Sequence, residues 1–560
     1  MLVILGNPPY CTKSKNNSEY ILDLIKVYKE MDGNPVKEVL SAINDDYVKF
    51  IRFAEKKIED STEGILGIIS NNGYLDNLSF KGMRYHLLKT FDEIYILNLH
   101  GNKRKNEKTD DGQKDKNIFD IQVGVAIAVF IKYKKEEKKR KLANVYYSSL
   151  KGKSEEKYNF LGKNSIYTTK FEKIEYKEPN YFFAKKDFSN ENFYNKGLSL
   201  VDIFKEYGSG FSTENNKLAI DYSGEELLEK LKYLAYLEEE NACSKYGIEK
   251  DSRNFNLKEI QKFLKFTNID KNYVKQVTYR PFDNRFTYYY KSKGVVARPA
   301  FNIMKHMLEI KNNVGLLATK IAPVDEFKHI FITNNITMQH AVTSTTYIFP
   351  LYIKQDQDIL GNNVKENFKN SFRNFINNKY IEEFSAEEIL GYIYAVLHSN
   401  AYRTRFCEFL KIEHPRIIFV ESVNIFKRIS KLGTDLINSH LLENNIELDS
   451  NIGKHCGESI ENSDQKICKV VYKKETQELF YNQTCCFKNI PFEVYEYMIG
   501  NFKVIRNYLI SRKGRKLNIY EIEYLEKVIK ALSYTIKKQK EIDKIILNLN
   551  EFGGQYIKAS

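Results

Sequence analysis

Asn7-Pro8-Pro9-Tyr10 is the segment whose residue types and spacing best fit a defined chemistry. The exocyclic amine of adenine is a poor nucleophile, because its lone pair is delocalised into the ring. The carboxamide oxygen of Asn7 and the backbone carbonyl of Pro8 can both accept hydrogen bonds from that amine, which favours its attack on a sulfonium methyl group. Consecutive prolines fix φ and so preset the direction of the carbonyl. Tyr10 offers a ring on which a base flipped out of a duplex can stack.

The elements around this segment must hold it at the end of a strand. Residues 2–5 read as a buried strand that runs directly into the Asn7 turn. Further along, apolar runs typical of buried strands alternate with amphipathic stretches, and this alternation predicts a covered, mostly parallel α/β sheet. The predicted strands are 64–70, 93–99 and 121–131, and the predicted helices are 45–58 and 79–90. The apolar face of the helix 45–58 is predicted to comprise Tyr47, Phe50, Ile51, Ala54 and Ile58.

This arrangement resembles the γ-class N6-adenine DNA methyltransferases, which carry an Asn-Pro-Pro-Tyr motif at the end of a central strand. The later blocks follow in the same order, up to the stretch 117–127. More specifically, the whole chain is similar to the C-terminal half of Type ISP restriction-modification enzymes, which join nuclease, helicase, methyltransferase and target-recognition regions in one polypeptide. The stretches that carry this narrower resemblance are Tyr279-Arg-Pro-Phe-Asp-Asn-Arg285, Arg298-Pro299, Tyr392-Ile-Tyr-Ala-Val-Leu-His-Ser399, Tyr402-Arg403 and 500–514.

The resemblance implies a fold class and a function. An N-terminally truncated, partial Rossmann-like α/β sheet is expected over residues 1–185, a mixed α+β target-recognition domain over 186–375, and a helical C-terminal part of the specificity domain over 376–560. Helices are predicted over 386–411 and 519–546. The implied activity is site-specific transfer of a methyl group from S-adenosylmethionine to the N6 atom of a flipped adenine, with the Asn-Pro-Pro-Tyr residues as the catalytic group and double-stranded DNA as the partner.

One part of the family pattern is missing. In the γ class a glycine-rich motif that binds S-adenosylmethionine, and an acidic residue on the next strand, precede the Asn-Pro-Pro-Tyr motif, whereas only six residues precede Asn7. The cofactor-binding residues are therefore expected on an upstream-encoded polypeptide that also carries the helicase and nuclease regions. A permuted site at Tyr207-Gly-Ser-Gly210 is the alternative, but residues 202–207 do not read as a buried strand and no suitable helix start follows.

Two further candidates lie between the predicted strands 93–99 and 121–131. Phe119 resembles the residue that supplies a second wall for the extruded adenine, although a core aromatic at the start of a strand is the other interpretation. The adjacent residues of the basic loop can follow the DNA backbone, although a solvated loop would have the same composition. These loop residues are Lys103, Arg104 and Lys105.

The densest aromatic and basic stretch covers residues 277–290. Tyr279, Arg280 and Arg285 can contact phosphates and base edges, and Arg298 belongs to the same set of DNA-binding candidates. A paired strand with one solvated face is the other interpretation. The net charge of +14, from 87 Lys and Arg against 73 Asp and Glu, is typical of proteins that bind a polyanion. A lysine-rich surface without such a partner would give the same balance.

Composition excludes several classes of protein. A hydrophobic fraction of 42% and an aromatic fraction of 14% over 560 residues rule out wholesale disorder and predict several domains. The seven cysteines are scattered and form no Cys-x-x-Cys pair, so we predict neither a disulfide framework nor a metal site. No apolar run is long enough to span a membrane, and no basic leader precedes the first strand. A cytoplasmic protein is therefore expected.

Two other functions remain open at this point. A non-catalytic DNA-recognition fragment, left by a split or decayed restriction-modification gene, would also lack the cofactor glycines. Methylation of RNA or of protein glutamine is the third alternative, because the Asn-Pro-Pro-Tyr motif occurs in such enzymes too. The long remainder of the chain after the catalytic blocks favours a large DNA substrate over these.

Overall fold

The computed structural model divides the chain into two compact units, Met1–Asp187 and Phe188–Ser560. Both combine helices with sheets, so the predicted mixture of α and β structure is confirmed. The three-part division expected from the sequence and the Rossmann-like character of the first sheet stay predictions. The structure describes residues 1–553 except for 12–13, 39–40, 104–106, 110, 135–141, 249–250, 253–254, 323–325, 343–344, 356–363, 444–447 and 458–465.

A six-stranded sheet forms the centre of the first unit. Its strands are β1 (Leu2–Gly6), β2 (Gly64–Asn71), β3 (Glu93–His100), β4 (Val125–Lys132), β5 (Asn144–Ser149) and β6 (Glu172–Ile174). Their order across the sheet is β1-β2-β4-β3-β5-β6, which makes β1 an edge strand. Because β1 and β2 are parallel, with Gly6 opposite Ile68, the segments that follow both strands lie at the same end of the sheet. A short ladder pairs Glu30–Met31 with Asn34–Pro35.

The prediction of a mostly parallel sheet holds for strand direction, since β1, β2, β3 and β5 run the same way, but not for every strand pair. β1 is parallel to β2, and β3 is parallel to β5, but β4 is antiparallel to both of its neighbours and β6 is antiparallel to β5. A central strand that is buried on both faces reads as a continuous apolar run whichever way it points. The sequence of β4 therefore carried no information about its direction.

The helices of the first unit are α1 (Glu19–Leu24), α2 (Asp46–Glu59), α3 (Lys81–Thr90) and α4 (Ser154–Lys163). Tyr47, Ile51 and Ile58 on α2 are buried in one core with the apolar residues of β2, β3 and β4, as predicted. Phe50 is 46% exposed, which contradicts the predicted apolar face. The buried arc of α2 is displaced to the other side, because it also takes in the ion-paired side chains of Arg52 and Glu55.

Small sheets, in which most strand pairs are antiparallel, make up much of the second unit. Three of those in its described part have four strands. In spatial order they are Ile220–Asp221, Asp283–Tyr288, Val274–Arg280 and Ile336–Thr337; Gly208–Ser209, Tyr347–Pro350, Gly315–Ala318 and Ile330–Thr333; and Lys454–Cys456, Cys486–Lys488, Glu478–Phe480 and Val471–Lys473. Two-stranded ladders pair Leu198–Ser199 with Arg416–Ile417, Asp251–Ser252 with Phe255–Asn256, Tyr352–Lys354 with Val364–Glu366, and Met498–Ile499 with Phe502–Lys503. The strand pair Val274–Arg280 and Asp283–Tyr288 is called the recognition hairpin below.

The longer helices of the second unit are Gly224–Tyr236, Glu239–Tyr246, Leu257–Phe266, Phe301–Glu309, Asn370–Tyr380, Ala386–His398, Val423–His440, Val504–Ser511 and Ile519–Ile546. The helix predicted over 519–546 is confirmed. The stretch 386–411, predicted as one helix, is interrupted after His398, because the Ser399 hydroxyl accepts a hydrogen bond from the Tyr402 amide and begins a new helix. In the described part of the chain no helix is both long and apolar enough to cross a membrane.

Candidate active site and nucleic-acid interface

The Asn-Pro-Pro-Tyr segment follows β1 directly, at the carboxyl end of the strand. Asn7 and Pro9 are exposed, whereas Pro8 is buried between them. Within the described part of the chain the Asn7 carboxamide has no hydrogen-bond partner, so both its polar atoms are available to a ligand. A buried proline next to an exposed asparagine anchors the turn without covering the amide. This placement suits a side chain that accepts a hydrogen bond from an incoming amine.

Tyr10 is half-buried against the core of the first unit. Its hydroxyl is buried without a hydrogen-bond partner among the described residues, and burial raises the pKa of the phenol to about 12. The Tyr10 side chain is therefore neutral at pH 7. The segment is tied to the start of α2, because the Cys11 amide donates to the Asp45 carboxylate at 3.2 Å and the Cys11 carbonyl accepts from the Asp46 amide at 3.3 Å.

A group of asparagines that sequence reasoning missed lies where β2 and β3 end. The Asn71 side chain accepts a hydrogen bond from the Gly73 amide at 2.8 Å, which closes the turn after β2. Asn72 donates to the Asn98 side chain at 3.0 Å and so joins this turn to β3. A β-carbon on Gly124 would lie 2.5 Å from the Asn72 side chain, so a residue larger than glycine would displace it. Polar residues at the ends of successive apolar strands were the available sequence signal.

Phe119 is partly buried and packs against a small apolar cluster that includes Leu99 and Val125. Its loop is shaped by Asn117, whose side chain donates to the Gly101 and Val123 carbonyls at 3.1 and 2.6 Å and accepts from the Phe119 amide at 2.9 Å. The ring thus combines a core contact with an exposed part. Both interpretations, base wall and strand-start core residue, remain compatible with this position.

The basic loop is only partly described. Lys103 is 37% exposed and its ammonium group lies 2.8 Å from the carboxylate of Asp120. Arg104 and Lys105 lie outside the described residues. Since Asp120 neutralises Lys103 locally, the loop offers less free positive charge at this position than the sequence suggested.

The recognition hairpin holds its arginines inward. Arg285 is 8% exposed, forms an ion pair with Asp283 at 2.7 Å, and places its guanidinium 3.9 Å from the centre of the Tyr279 ring. Arg280 is partly buried and donates to the Tyr279 and His340 carbonyls at 2.7 and 2.9 Å, and burial lowers its pKa. The structure therefore brings Tyr279, Arg280 and Arg285 together, but as a packed cluster in which the Arg285 charge is already neutralised.

Arg298 differs from the hairpin arginines. Its side chain is 57% exposed and lies 3.0 Å from the Glu214 carboxylate. Its backbone pairs with Ser212, which holds the residue beside the sheet that contains the hairpin. Among the four candidates, Arg298 is the most accessible cation.

Comparison with known protein families accounts for most of the second unit. A family model of the Type ISP C-terminal specificity domain matches residues 202–541, which is more than half of the chain. The chain belongs to this family. The resemblance identified from the sequence is thereby confirmed. A search of curated proteins gives no match.

Solved structures share the fold of this Type ISP chain. A DrdV–DNA complex matches 97% of the chain with a TM-score of 0.72 and 22% identity. A nuclease-deletion mutant of the Type ISP enzyme LlaGI with a DNA substrate mimic gives 0.70 and 20%, and the ATP-dependent Type ISP enzyme LlaBIII bound to DNA gives 0.71 and 21%, each again over 97% of this chain. The chain spans 56%, 52% and 38% of the lengths of these three structures.

The glycines considered for a permuted cofactor site do not form one in this Type ISP chain. A β-carbon on Gly208 would lie 3.1 Å from the Ile303 side chain, and one on Gly210 would lie 2.4 Å from the Met338 backbone. Both glycines therefore accommodate close packing within the protein. At Gly208 and Gly210 the structure thus does not fit a glycine-rich loop that binds S-adenosylmethionine.

One group of side chains in the first unit has the composition of a metal site. Glu55, Glu59 and His86 bring their ligand atoms within 4.8 Å of one another. Arg52 already occupies the centre of this group, with one guanidinium nitrogen 2.9 Å from each glutamate, and Tyr28 donates to Glu55 at 2.6 Å. The guanidinium supplies the positive charge, so the group is a buried ion-pair network.

Proposed function

We propose that this chain supplies the DNA-recognition and adenine-methylating portion of a Type ISP restriction-modification enzyme. The observation that carries the proposal is the exposed carboxamide of Asn7 at the carboxyl end of β1, in a chain whose residues 202–541 belong to the specificity family. The relatives LlaGI and LlaBIII are solved with DNA or a DNA mimic, which supports duplex DNA as the partner. The net charge of +14 agrees with a polyanionic partner.

In the proposed reaction, Asn7 and Pro8 act on the amine of the target adenine. The Asn7 oxygen and the Pro8 carbonyl accept its two N–H groups, which reduces delocalisation of the lone pair into the ring and directs it outward. Tyr10, held by its half-buried ring and its link to α2, stacks on the extruded base. A neutral phenol suits this position, because a phenolate would repel the nearby DNA phosphates.

S-adenosylmethionine supplies the methyl group in the proposed function, and its binding site is assigned to a region that lies outside the residues of this sequence. Two observations support a place for that region beside β1 of the first unit. β1 is an edge strand, and its side chains Val3 and Leu5 are 52% and 80% exposed. The matched structures also extend well beyond the part that this chain covers. An added strand on β1 would satisfy its free backbone groups and cover these apolar side chains.

A methylation assay tests the proposal. The 560-residue chain, mixed with a polypeptide that carries the cofactor-binding region, is expected to transfer tritiated methyl groups from S-adenosylmethionine to adenine in duplex DNA. The chain alone is expected to bind duplex DNA but to transfer no methyl groups to it. Absence of DNA binding at low salt would refute the proposal as a whole.

A second function, DNA recognition without catalysis, is favoured by one observation. The glycine positions considered for the cofactor are filled by protein atoms. This second function would be supported if the mixture bound DNA but transferred no methyl groups. Titration calorimetry with S-adenosylmethionine separates the two further, because the mixture binds the cofactor only in the first case.

A further inference from the structure

The turn between the last two long helices concentrates positive charge. Residues 502–517 contain six lysines and arginines and no acidic residue. Four of the six lie in the turn itself, between the helix Val504–Ser511 and the helix Ile519–Ile546. We call residues 511–516 the basic turn. Its cations are Arg512, Lys513, Arg515 and Lys516.

Arg512 anchors the basic turn to the recognition hairpin. Its side chain is 5% exposed, and its guanidinium lies 2.9 Å from the Asp283 carboxylate and 3.1 Å from that of Glu521. It also stacks 3.6 Å from the centre of the Tyr508 ring. Because Asp283 binds Arg285 as well, one buried carboxylate fixes both the hairpin and the turn. The turn is thus held in one conformation before any ligand arrives.

Three guanidinium groups surround the ring of Tyr222. Those of Arg285, Arg512 and Arg515 lie 4.4, 4.8 and 3.9 Å from its centre. The carboxylates that contact these groups in the described part of the chain are Asp283 and Glu521. Three cations against two anions leave an excess of positive charge in a half-buried place, where a bound anion is favoured.

Arg515 is the cation whose bonding is incomplete. It is 34% exposed, and its nearest carboxylate, Glu521, lies 4.0 Å away, beyond hydrogen-bond distance. Its Nη1 atom is buried and has no hydrogen-bond partner among the described residues. This buried nitrogen faces Glu521, so a ligand would reach the other, partly exposed atoms of the guanidinium. Tyr222 orients this guanidinium, and no carboxylate in the described part of the chain lies within hydrogen-bond distance of it.

The approach to Arg515 is open. Lys513 is exposed, and Gly514, with φ of +85°, has no atom within 4 Å of the position where a β-carbon would lie. The Gly514 amide donates to the Ile467 carbonyl at 2.9 Å, which pins the turn to the neighbouring chain segment. The turn is thus open at Gly514, where a ligand can approach it.

We propose that Arg515 and Lys513 bind a backbone phosphate of duplex DNA, and that Asp283 and Arg512 position them. The proposal rests on the proposed function, because it deepens the DNA-binding part of it. A phosphate supplies two acceptor oxygens to the planar guanidinium and a counter-charge to the lysine. Such an interaction fixes the orientation of the protein on the duplex and carries no sequence information of its own.

The test is a salt titration of DNA affinity with the full chain. We compare the wild type with Arg515→Ala, Lys513→Ala and Arg515→Lys, using duplex DNA of two unrelated sequences and a duplex RNA of one of them. The slope of log affinity against log salt concentration is expected to fall by about 0.9 for each phosphate that a variant no longer binds, equally for both DNA sequences. Arg515→Lys keeps the charge and should restore most of the slope. Lys232→Ala, which removes an exposed lysine from the helix Gly224–Tyr236, is the matched control and should leave the slope unchanged.

Each outcome decides the proposal. Unchanged slopes for Arg515→Ala and Lys513→Ala, with wild-type DNA binding intact, would overturn it while leaving the proposed function standing. If the variants reduced the slope equally with duplex RNA, the turn would bind double-stranded nucleic acids in general. That result would also overturn the proposal of a DNA site. No DNA binding by the wild type would instead refute the proposed function. Unchanged thermal unfolding of the variants shows that the turn still folds.

Discussion

The Asn-Pro-Pro-Tyr segment and the recognition hairpin both carry side chains suited to DNA chemistry, but they lie in opposite environments. Asn7 is exposed and has no partner in the described part of the chain, whereas Arg285 is buried and paired with Asp283 at 2.7 Å. The first is open to a ligand; the second is already satisfied by the protein. Near the hairpin, Arg515 is partly exposed and lies 4.0 Å from its nearest carboxylate, so it is open to an anion, although it belongs to a distant part of the chain.

The difference shows what a local motif can reveal. The Asn-Pro-Pro-Tyr chemistry depends on four consecutive residues and a preceding strand, all of which are local. The role of Arg285 depends on Asp283, and Asp283 in turn binds Arg512, which is 229 residues further along. An arginine on an amphipathic strand looks the same in the sequence whether it faces DNA or a buried carboxylate. Removing Asp283 is therefore the sharpest test of the distinction.

Asp283→Ala is expected to have the largest effect. The substitution leaves the buried guanidiniums of Arg285 and Arg512 without their shared partner, and breaking a buried ion pair on one side destabilises a protein by about 3 to 5 kcal/mol. Denaturant unfolding of the second unit measures this change. Lys431→Ala is the control, because Lys431 is 76% exposed in its pair with Asp435 and should matter by less than about 1 kcal/mol. If the two substitutions decreased the free energy of unfolding equally, Arg285 and Arg512 would not depend on Asp283 as a buried ion-pair partner.

Asn7→Ala is expected to act on catalysis without affecting the fold. In the mixture with a polypeptide that carries the cofactor-binding region, the methylation rate should fall about 100- to 1,000-fold, as expected when one oriented hydrogen-bonding group is removed from a transition state. DNA affinity should stay within a few-fold, since in the proposed reaction Asn7 acts on the amine and not on the phosphates. Asn34→Ala, which removes another exposed asparagine of the first unit, serves as the control. Normal methylation by the Asn7→Ala protein would contradict the catalytic role.

The same contrast explains how far the sequence could predict the structure. The helix 519–546 and the strands of the first unit follow from the periodicity of their apolar residues, which is a local property. Periodicity does not predict the direction of β4 or the exposure of Phe50. These features depend on the strands that pair with β4 and on the side chains that pack around α2. The asparagine group at the ends of β2 and β3 was missed for the same reason, since its members meet only in the folded sheet.

Lowering the pH from 7 to 5 should decrease the free energy of unfolding of the second unit by about 2 kcal/mol for each of its buried histidines described below. Burial lowers the pKa of His329 and His414 to about 4 and that of His440 to about 3. Between these values and the ordinary histidine pKa of about 6.5, the unfolded chain binds more protons than the folded one, so the stability of the second unit falls as the pH drops through this range. Unfolding at pH 7 and pH 5 measures the decrease, and His440→Gln should reduce it. A pH-independent second unit would contradict these shifts.

Arg298→Ala is expected to have the smallest effect, a decrease of about fivefold in DNA affinity, because a single exposed cation would contribute one contact to a phosphate or a base edge. Because Arg298 pairs with Glu214 at 3.0 Å, a substitution of Glu214 should change DNA affinity in the opposite direction. Glu214→Gln removes the competing carboxylate, so it should raise DNA affinity through Arg298 and have no effect in the Arg298→Ala background. Gel shifts at two salt concentrations measure both. One result would contradict this prediction: Arg298→Ala leaves DNA affinity unchanged, and Arg285→Ala lowers it without destabilising the protein. The hairpin arginines would then be the residues that bind DNA, although the structure shows Arg285 paired within the protein.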